Sequence, residues 1–155
     1  MSRIPINFSK GCLIAPIQGE IDEGRMKEIQ EQILREVRSS KVKGVVIDLS
    51  GVRIVEPYLA SIIDNTAKMV HLLGAETVLT GIKPGVAISL VNLNFDFKEI
   101  YGTARTFEEG VEKLQPIVGE GELDLERVEE TIGRGETLNV LQEEEDKEKK
   151  NLIND

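Results

Sequence analysis

A nearly uninterrupted apolar and β-branched run, Gly44-Val45-Val46-Ile47-Asp48-Leu49, stands between two segments of helical periodicity. Such a run is typical of a buried central strand. The segment before it, Asp22 to Ser40, and the segment after it, roughly Pro57 to Leu73, are both amphipathic. Their apolar stripes recur at steps of three and four residues: Met26, Ile29, Ile33 and Val37 in the first helix, and Leu59, Ile62, Ile63, Thr66, Val70 and Leu73 in the second. A buried strand between amphipathic helices predicts an α/β fold.

The same alternation of strands and helices extends on both sides of this core. Residues 4–8 and 12–17 flank the turn Ser9-Lys10-Gly11 and predict a β-hairpin. Further along, the sequence predicts a buried strand at Thr77 to Thr80, a third helix from Pro84 to about Leu93, a short strand at Phe97 to Tyr101, and a fourth helix carried by Val111, Leu114 and Val118. The order β-β-α-β-α-β-α-β-α predicts a mixed, mainly parallel central sheet with an antiparallel N-terminal hairpin and helices packed against it.

Two local signals mark helix ends. Thr106-Phe107-Glu108-Glu109 fits a capping box, in which the Thr106 hydroxyl caps the amide of Glu109 and the Glu109 carboxylate reaches back. Gly74 follows the second helix and predicts a left-handed C-terminal cap, because glycine adopts a positive φ without a steric cost.

Charge divides the chain into a near-neutral body and an acidic extension. The formal net charge is −9, of which residues 1–119 carry −1 and residues 120–155 carry −8. We therefore expect a domain at residues 1–118 and an acidic C-terminal extension at 119–155, partly helical or disordered. Such a charge distribution disfavours nucleic acid and anionic membrane surfaces as partners. Without a signal-like apolar segment or a membrane-spanning run, and with Cys12 as its single cysteine, the chain is expected to be cytoplasmic.

Three ordered segments resemble a known family: Lys43 to Glu56, Leu72 to Phe97, and Ala104 to Leu114. Their order and spacing resemble the STAS domain (sulfate transporter and anti-sigma factor antagonist), over about residues 4–118. The Leu-Thr-Gly-Ile-Lys-Pro stretch is most similar to bacterial stressosome proteins. Among these, the single-domain scaffold subunits (RsbS-like) fit best, since no sensory domain precedes the hairpin in this sequence.

The resemblance implies a fold, a partner class and a mode of action. It implies a STAS fold and a non-enzymatic, cofactor-free interaction module of a bacterial stress-signalling system. Its expected partners are other STAS-domain proteins, in a homo- or hetero-oligomer, and a serine/threonine switch kinase. In this family, phosphorylation at the start of the second helix changes which protein is bound, since a helix N-terminus accommodates a phosphate and the added charge remodels an interface.

The sequence departs from the family at that switch position. Glu56 and Pro57 stand where family members carry Asp followed by Ser or Thr, and proline has no hydroxyl to phosphorylate. Three hypotheses follow. Glu56 and Pro57 simply start the helix; or Glu56 supplies a permanent negative charge that imitates a phosphate poorly; or phosphorylation occurs at another hydroxyl, at Ser89 in the third helix or at Ser61 one turn beyond Pro57.

The alternative function is a STAS domain that senses a nucleotide or lipid. The turn from Thr80 to Gly85 joins a strand to a helix, where α/β proteins often bind phosphate. Candidate nucleotide contacts are the Lys83 side chain and the amides of Gly85 and Val86, although a plain tight turn explains this segment more simply and no phosphate-binding motif is present. No catalytic residues or metal ligands are predicted, because the sequence offers no nucleophile–base pair or metal-binding pattern.

Overall fold

The computed structural model describes residues 6–39 and 42–119. The strands are β1 (Asn7–Ser9), β2 (Cys12–Gln18), β3 (Gly44–Gly51), β4 (Glu76–Thr80) and β5 (Ile100–Ala104). The helices are α1 (Glu23–Ser39), α2 (Pro57–Leu72), α3 (Pro84–Asn92) and α4, which includes residues 107–119. A short 3₁₀ turn, Phe97–Glu99, precedes β5.

The five strands form one sheet in the order β1-β2-β3-β4-β5. β1 pairs antiparallel with β2 across a two-residue turn, in which Lys10 and Gly11 have φ values of 48° and 75°. Two consecutive positive φ values are the signature of a type I′ hairpin turn, whose twist matches that of the strands it joins. The remaining strand pairs are all parallel. This confirms the predicted mixed, mainly parallel sheet with an N-terminal hairpin.

Alternation along each strand produces two unequal faces. One, here called the three-helix face, packs residues such as Leu13, Val45 and Leu79 against α1, α2 and α3. The other, here called the α4 face, is covered by α4 and by no other helix of the described residues. Its separate buried cluster consists of Cys12, Ile14, Val46, Val78, Val111, Leu114 and Val118. Helices therefore cover both sides of the central strands, which explains why the sequence of β3 is a nearly continuous apolar run.

The predicted apolar stripes of α1 and α2 are buried, apart from one residue at the C-terminal end of α2. Met26, Ile29, Ile33 and Val37 are all buried in α1. In α2 the predicted stripe is buried except for Leu73, which is 46% exposed because it is the C-cap. Gly74 has a φ of +88°, and its amide and that of Ala75 bond back to His71 and Val70. That pattern is a Schellman cap, as the position of Gly74 predicted.

One prediction near the C-terminal end of the body needs correction, and another is confirmed. The last strand was predicted at Phe97 to Tyr101, but it runs from Ile100 to Ala104. The cause is Asp96, whose carboxylate accepts the Lys98 amide at 2.9 Å and turns the chain as a 3₁₀ helix first. At α4 the Thr106 hydroxyl accepts the Glu109 amide at 3.2 Å, as predicted. The Glu109 carboxylate also reaches back, and it accepts the amide of Arg105, the residue before Thr106, at 3.3 Å.

Some expectations fall outside the described residues. The acidic extension at 119–155 lies almost wholly beyond them, so its partly helical or disordered character and the domain boundary at 118 stay predictions. Over residues 6–39 and 42–119, no helix is long and apolar enough to span a membrane.

Candidate functional site

The predicted switch position lies at the edge of the sheet where the parallel strands end and the loops that follow them begin. The loops after β2 and β3 leave the same edge because their strands are parallel. A backbone hydrogen bond joins these loops, from the amide of Gly19 to the carbonyl of Gly51 at 3.3 Å. The start of α3 touches the second loop, since a Cβ on Gly85 would lie 3.1 Å from the carbonyl oxygen of Arg53. The sequence-predicted positions around α2 and α3 are therefore neighbours.

Helix α2 starts at Pro57 with Glu56 as its N-cap residue. Glu56 is extended (φ −77°, ψ 158°), its carbonyl accepts the Ala60 amide at 3.1 Å, and its side chain makes no capping hydrogen bond. Proline suits the first helical position because that residue's N–H has no partner inside a helix. The exposed Glu56 carboxylate lies beside the positive end of the helix dipole, which stabilises it.

Helix α3 starts in the same way but with the opposite charge. Lys83 is its N-cap residue (φ −80°, ψ 159°), Pro84 follows at the first helical position, and the Lys83 carbonyl accepts the Ala87 amide at 2.9 Å. A cation at a helix N-terminus is electrostatically unfavourable. The two neighbouring helix starts thus present one carboxylate and one ammonium group to the same loop region.

A groove of about 550 Å³ lies between the loops after β2 and β3, and we call it the loop groove. It is lined by Gly19, Glu20, Ile21, Gly51, Val52, Arg53, Ile54, Glu56 and Leu59. The Tyr58 hydroxyl donates a hydrogen bond to the carbonyl of Ile21, which ties the first turn of α2 to the segment before α1. Desolvation raises the pKa of Tyr58 above 10.0, and the carboxylates of Glu56, Asp22, Glu23 and Glu20 add to the shift. The groove is therefore bordered by negative charge.

The two candidate phosphorylation sites lie on the outer sides of their helices. Ser61 is exposed one turn into α2. Ser89 is half-buried in α3, and its hydroxyl donates to the carbonyl of Gly85 at 2.9 Å. Both hydroxyls are thus at the surface near the predicted switch region, and neither is enclosed in the core.

The candidate nucleotide contacts are brought together only in part. Lys83 and Gly85 are exposed at the start of α3, whereas the Val86 side chain is fully buried in the three-helix face. None of the three residues lines the loop groove. Within the described part of the chain, no group of three or more His, Cys, Asp or Glu side chains is placed to hold a metal ion.

Sequence reasoning missed the exposed apolar residues around this region. Ile54, in the loop after β3, is 68% exposed, and Ile88 and Val91 on α3 are 62% and 70% exposed. The available signal was the composition of α3, which is apolar on all sides although only one side can face the sheet. A helix of that composition exposes part of its apolar surface unless another protein covers it.

Comparison with known proteins agrees with this architecture. Residues 3–112 match the family model of the STAS domain. The chain is 34% identical over 99 residues to the RsbT co-antagonist protein RsbRA of Bacillus subtilis (strain 168), covering 64% of this chain and 36% of that protein. It therefore spans about a third of the length of that curated relative.

Two solved structures are similar over nearly their whole length. A serine-to-glutamate variant of RsbS from Moorella thermoacetica superimposes with a TM-score of 0.67 at 30% identity, covering 75% of this chain and 97% of that one. A chain from a structure of the stressosome, which is described as a signal integration and transduction hub, superimposes with a TM-score of 0.62 at 28% identity. The match covers 73% of this chain and 97% of that one.

Proposed function

This chain belongs to the STAS domain family, and from that premise we propose that it is a protein-interaction module of a bacterial partner-switching system for stress signalling. It acts as a stressosome scaffold or anti-sigma factor antagonist-like subunit. Its partners are other STAS-domain proteins, with which it forms an oligomer, and a switch kinase. The observation that carries the proposal is the similarity to RsbS, of which this chain covers 97% at 30% identity.

The exposed apolar residues supply a docking surface for such a partner. Ile54 follows Arg53, whose carbonyl is in contact with the start of α3, and Ile88 and Val91 are exposed on that helix. Single exposed apolar residues are ordinary, but apolar residues on two touching elements beside a groove indicate an interface. Covering Ile54 would contribute stabilisation of about 1–2 kcal/mol to a complex.

The charge around the loop groove adds selectivity. The carboxylates that raise the pKa of Tyr58 surround the start of α2, and they outnumber the one basic side chain in the groove lining, Arg53. A partner that docks at the groove is expected to present basic residues, since complementary charge accelerates association and disfavours the wrong partners.

Size-exclusion chromatography with light scattering tests the proposal. The chain, alone and mixed with the STAS domain of an RsbR-type protein, is expected to elute as an oligomer larger than the monomer. Ile54→Glu is expected to weaken the complex, because it places a charge on the docking surface. Leu72→Glu is the matched control, since Leu72 is 84% exposed at the opposite end of α2, roughly 22 Å from Pro57 along the helix axis. A monomer that ignores its STAS partner would contradict the proposed function.

Regulation of this module cannot use a hydroxyl at Pro57, and the three hypotheses make different predictions. If phosphorylation occurs at Ser89 or Ser61, incubation with a stressosome kinase and ATP adds one phosphate by intact mass. Ser89→Ala or Ser61→Ala then abolishes the addition and identifies the site. An unchanged mass for the wild-type chain would rule out this hypothesis.

The permanent-charge hypothesis depends on Glu56. Because the carboxylate is exposed and makes no capping bond, Glu56→Gln is expected to leave the fold unchanged. Under this hypothesis the substitution changes partner affinity, and the change shrinks at high salt as charges are screened. If Glu56→Gln and the wild type bind the partner with equal affinity at every salt concentration, the permanent-charge hypothesis is wrong. Glu56 and Pro57 then only start α2.

The alternative proposal is a STAS domain that senses a nucleotide or lipid. Its support is the exposed Lys83 at the start of α3, beside the loop after β3. A nucleotide-dependent rise in melting temperature, lost in Lys83→Gln, would favour this alternative. The carboxylates around the neighbouring start of α2 work against it, because carboxylates repel phosphates.

A further inference from the structure

Within residues 6–39 and 42–119, only part of the α4 face of the sheet is covered. Helix α4 packs over Ile14, Val46 and Val78, and beyond its N-terminus a cavity of about 600 Å³ remains open against the sheet. We call it the α4 cavity. Its wall includes Asp48 and Ser50 from β3 and Glu108 from α4. It lies on the opposite side of the sheet from α1, α2 and α3.

Asp48 is an unusual group to find in this wall. It is only 8% exposed, and its two carboxylate oxygens accept one hydrogen bond each, from the Ser50 hydroxyl at 2.6 Å and the Thr80 hydroxyl at 2.8 Å. A carboxylate has about four acceptor sites, so half of its capacity remains. Across residues 6–39 and 42–119, no Lys, Arg or His side chain forms an ion pair with Asp48. A buried charge without a counter-charge is costly, and this one borders an open cavity.

The start of α4 does not supply a site for an anion. The Glu109 amide is already bonded to the Thr106 hydroxyl, and the Arg105 amide is bonded to the Glu109 carboxylate. The Arg105 side chain is 91% exposed, and its Nη2 lies 3.6 Å from Glu109 Oε1, so its charge is both solvated and partly neutralised. Among the described residues, the charged side chains that line the cavity are therefore Arg105, Glu108 and Asp48, and Asp48 alone of the three is buried.

The rest of the wall suits an aliphatic body. Ile14, Pro16 and Phe107 contribute apolar surface next to the acidic groups. A volume of about 600 Å³ is typical of pockets that hold small organic molecules. We propose that the α4 cavity binds a small organic cation, an amine or guanidine, whose positive nitrogen pairs with Asp48 and whose carbon chain packs on the apolar wall. This site is independent of the proposed docking surface on the other face.

Agmatine is a suitable probe, because it carries a guanidinium and an ammonium group on an aliphatic chain. Glutarate, a dicarboxylate on a similar chain, is the matched anion. In calorimetric titrations up to millimolar concentration, agmatine is expected to bind and glutarate is not. Amide resonances of Ser50 and Thr106 are expected to shift with agmatine, which locates the site.

Asp48→Asn is expected to weaken agmatine binding by about tenfold or more, because it keeps the shape of the side chain and removes the charge. Asp64→Asn is the control: Asp64 lies on α2, on the three-helix face, and pairs with Lys68 at 2.9 Å. It is expected to bind agmatine as the wild type does. If Asp48→Asn does not fold, Glu108→Gln decides, since Glu108 is exposed and its loss is expected to weaken binding several-fold. Absence of agmatine binding, binding unchanged in these variants, or tighter binding of glutarate would each overturn the proposal.

Discussion

The two faces of the sheet are built from alternate residues of the same strands, yet they differ in kind. Three helices close one face over a continuous apolar core that reaches from Leu13 on β2 to Leu90 on α3. In the part of the chain that the structure describes, one helix closes part of the other face, around a cluster of seven buried residues, and a buried carboxylate lies beside an open cavity. Because apolar burial is the dominant favourable term in folding, most of the stability is expected to reside on the three-helix face.

The difference teaches that the larger apolar core and the buried carboxylate of Asp48 lie on opposite faces of the sheet. The three-helix face carries the larger apolar core, and the loops and helix starts at its edge carry the proposed docking surface. The α4 face keeps Asp48, the one charged side chain that is buried among the described residues. Polar groups retained in a core without a stabilising ion pair are frequently functional.

The largest expected effect comes from Gly81, which supports the wall of the α4 cavity. A Cβ at this position would lie 2.8 Å from Asp48 Oδ1 and 2.8 Å from the backbone nitrogen of Ser50, and its φ is +68°. Gly81→Ala is therefore expected to lower the free energy of unfolding by about 2–5 kcal/mol, from backbone strain and overpacking together. Urea denaturation measures it.

Gly19 provides the matched control for that substitution. Its φ is +69°, but a Cβ there would meet nothing within 4 Å. Gly19→Ala is expected to cost only the backbone term, about 1–2 kcal/mol. Equal losses for the two variants would show that Asp48 and Ser50 move aside easily, and that the wall of the cavity is not rigid.

A smaller effect compares the two faces directly. Val45 and Val46 are consecutive, identical and fully buried, and they point to the three-helix face and the α4 face respectively. Each Val→Ala change removes the same two methyl groups. We expect a loss of about 2–3 kcal/mol for Val45→Ala and about 1–2 kcal/mol for Val46→Ala, since a single helix can settle into the space more readily than three interlocked ones. A larger loss of unfolding free energy for Val46→Ala than for Val45→Ala would show that the α4 face is the more rigidly packed of the two.

The smallest effect concerns the polar tie between Tyr58 and the carbonyl of Ile21. Tyr58→Phe is expected to lower the free energy of unfolding by about 1 kcal/mol near neutral pH, through the lost hydrogen bond. Because the folded-state pKa of Tyr58 is raised above 10.0, its contribution is complete below that pH and is lost as the pH rises further.

Urea denaturation of both proteins on either side of pH 10.0 checks this sign. The stability difference between wild type and Tyr58→Phe is expected to shrink at the higher pH. A difference that grows with pH would show that the tyrosinate is favoured by the folded state, contrary to its acidic surroundings.

The sequence predicted those parts of the fold that depend on local periodicity. The apolar stripes of α1 and α2, the central strand and the Gly74 cap all depend on residues that are close together in sequence. The start of β5 was predicted three residues too early, because a single hydrogen bond from the Lys98 amide to Asp96 turns the chain before the strand begins.

At the candidate site, the position of Glu56 and Pro57 at the start of α2 could be predicted, but the surroundings could not. The Tyr58 hydroxyl donates to the carbonyl of Ile21, and the two residues lie 37 positions apart in sequence. The environment of Asp48 depends on the register that places Thr80 of β4 beside it. Register between strands is set by the whole sheet, so no local pattern reveals it.

Pro57 at the first position of α2 has a consequence for evolution. All proline codons differ from a serine codon and from a threonine codon by one base, so a hydroxyl at this position is a single mutation away. The backbone there is ordinary helix, which serine or threonine can adopt without strain. Replacing proline lowers the free energy of unfolding by about 0.4–1 kcal/mol, because the unfolded chain gains conformational freedom. The chain therefore stands one nucleotide from a phosphorylatable helix start, and that change faces no structural barrier.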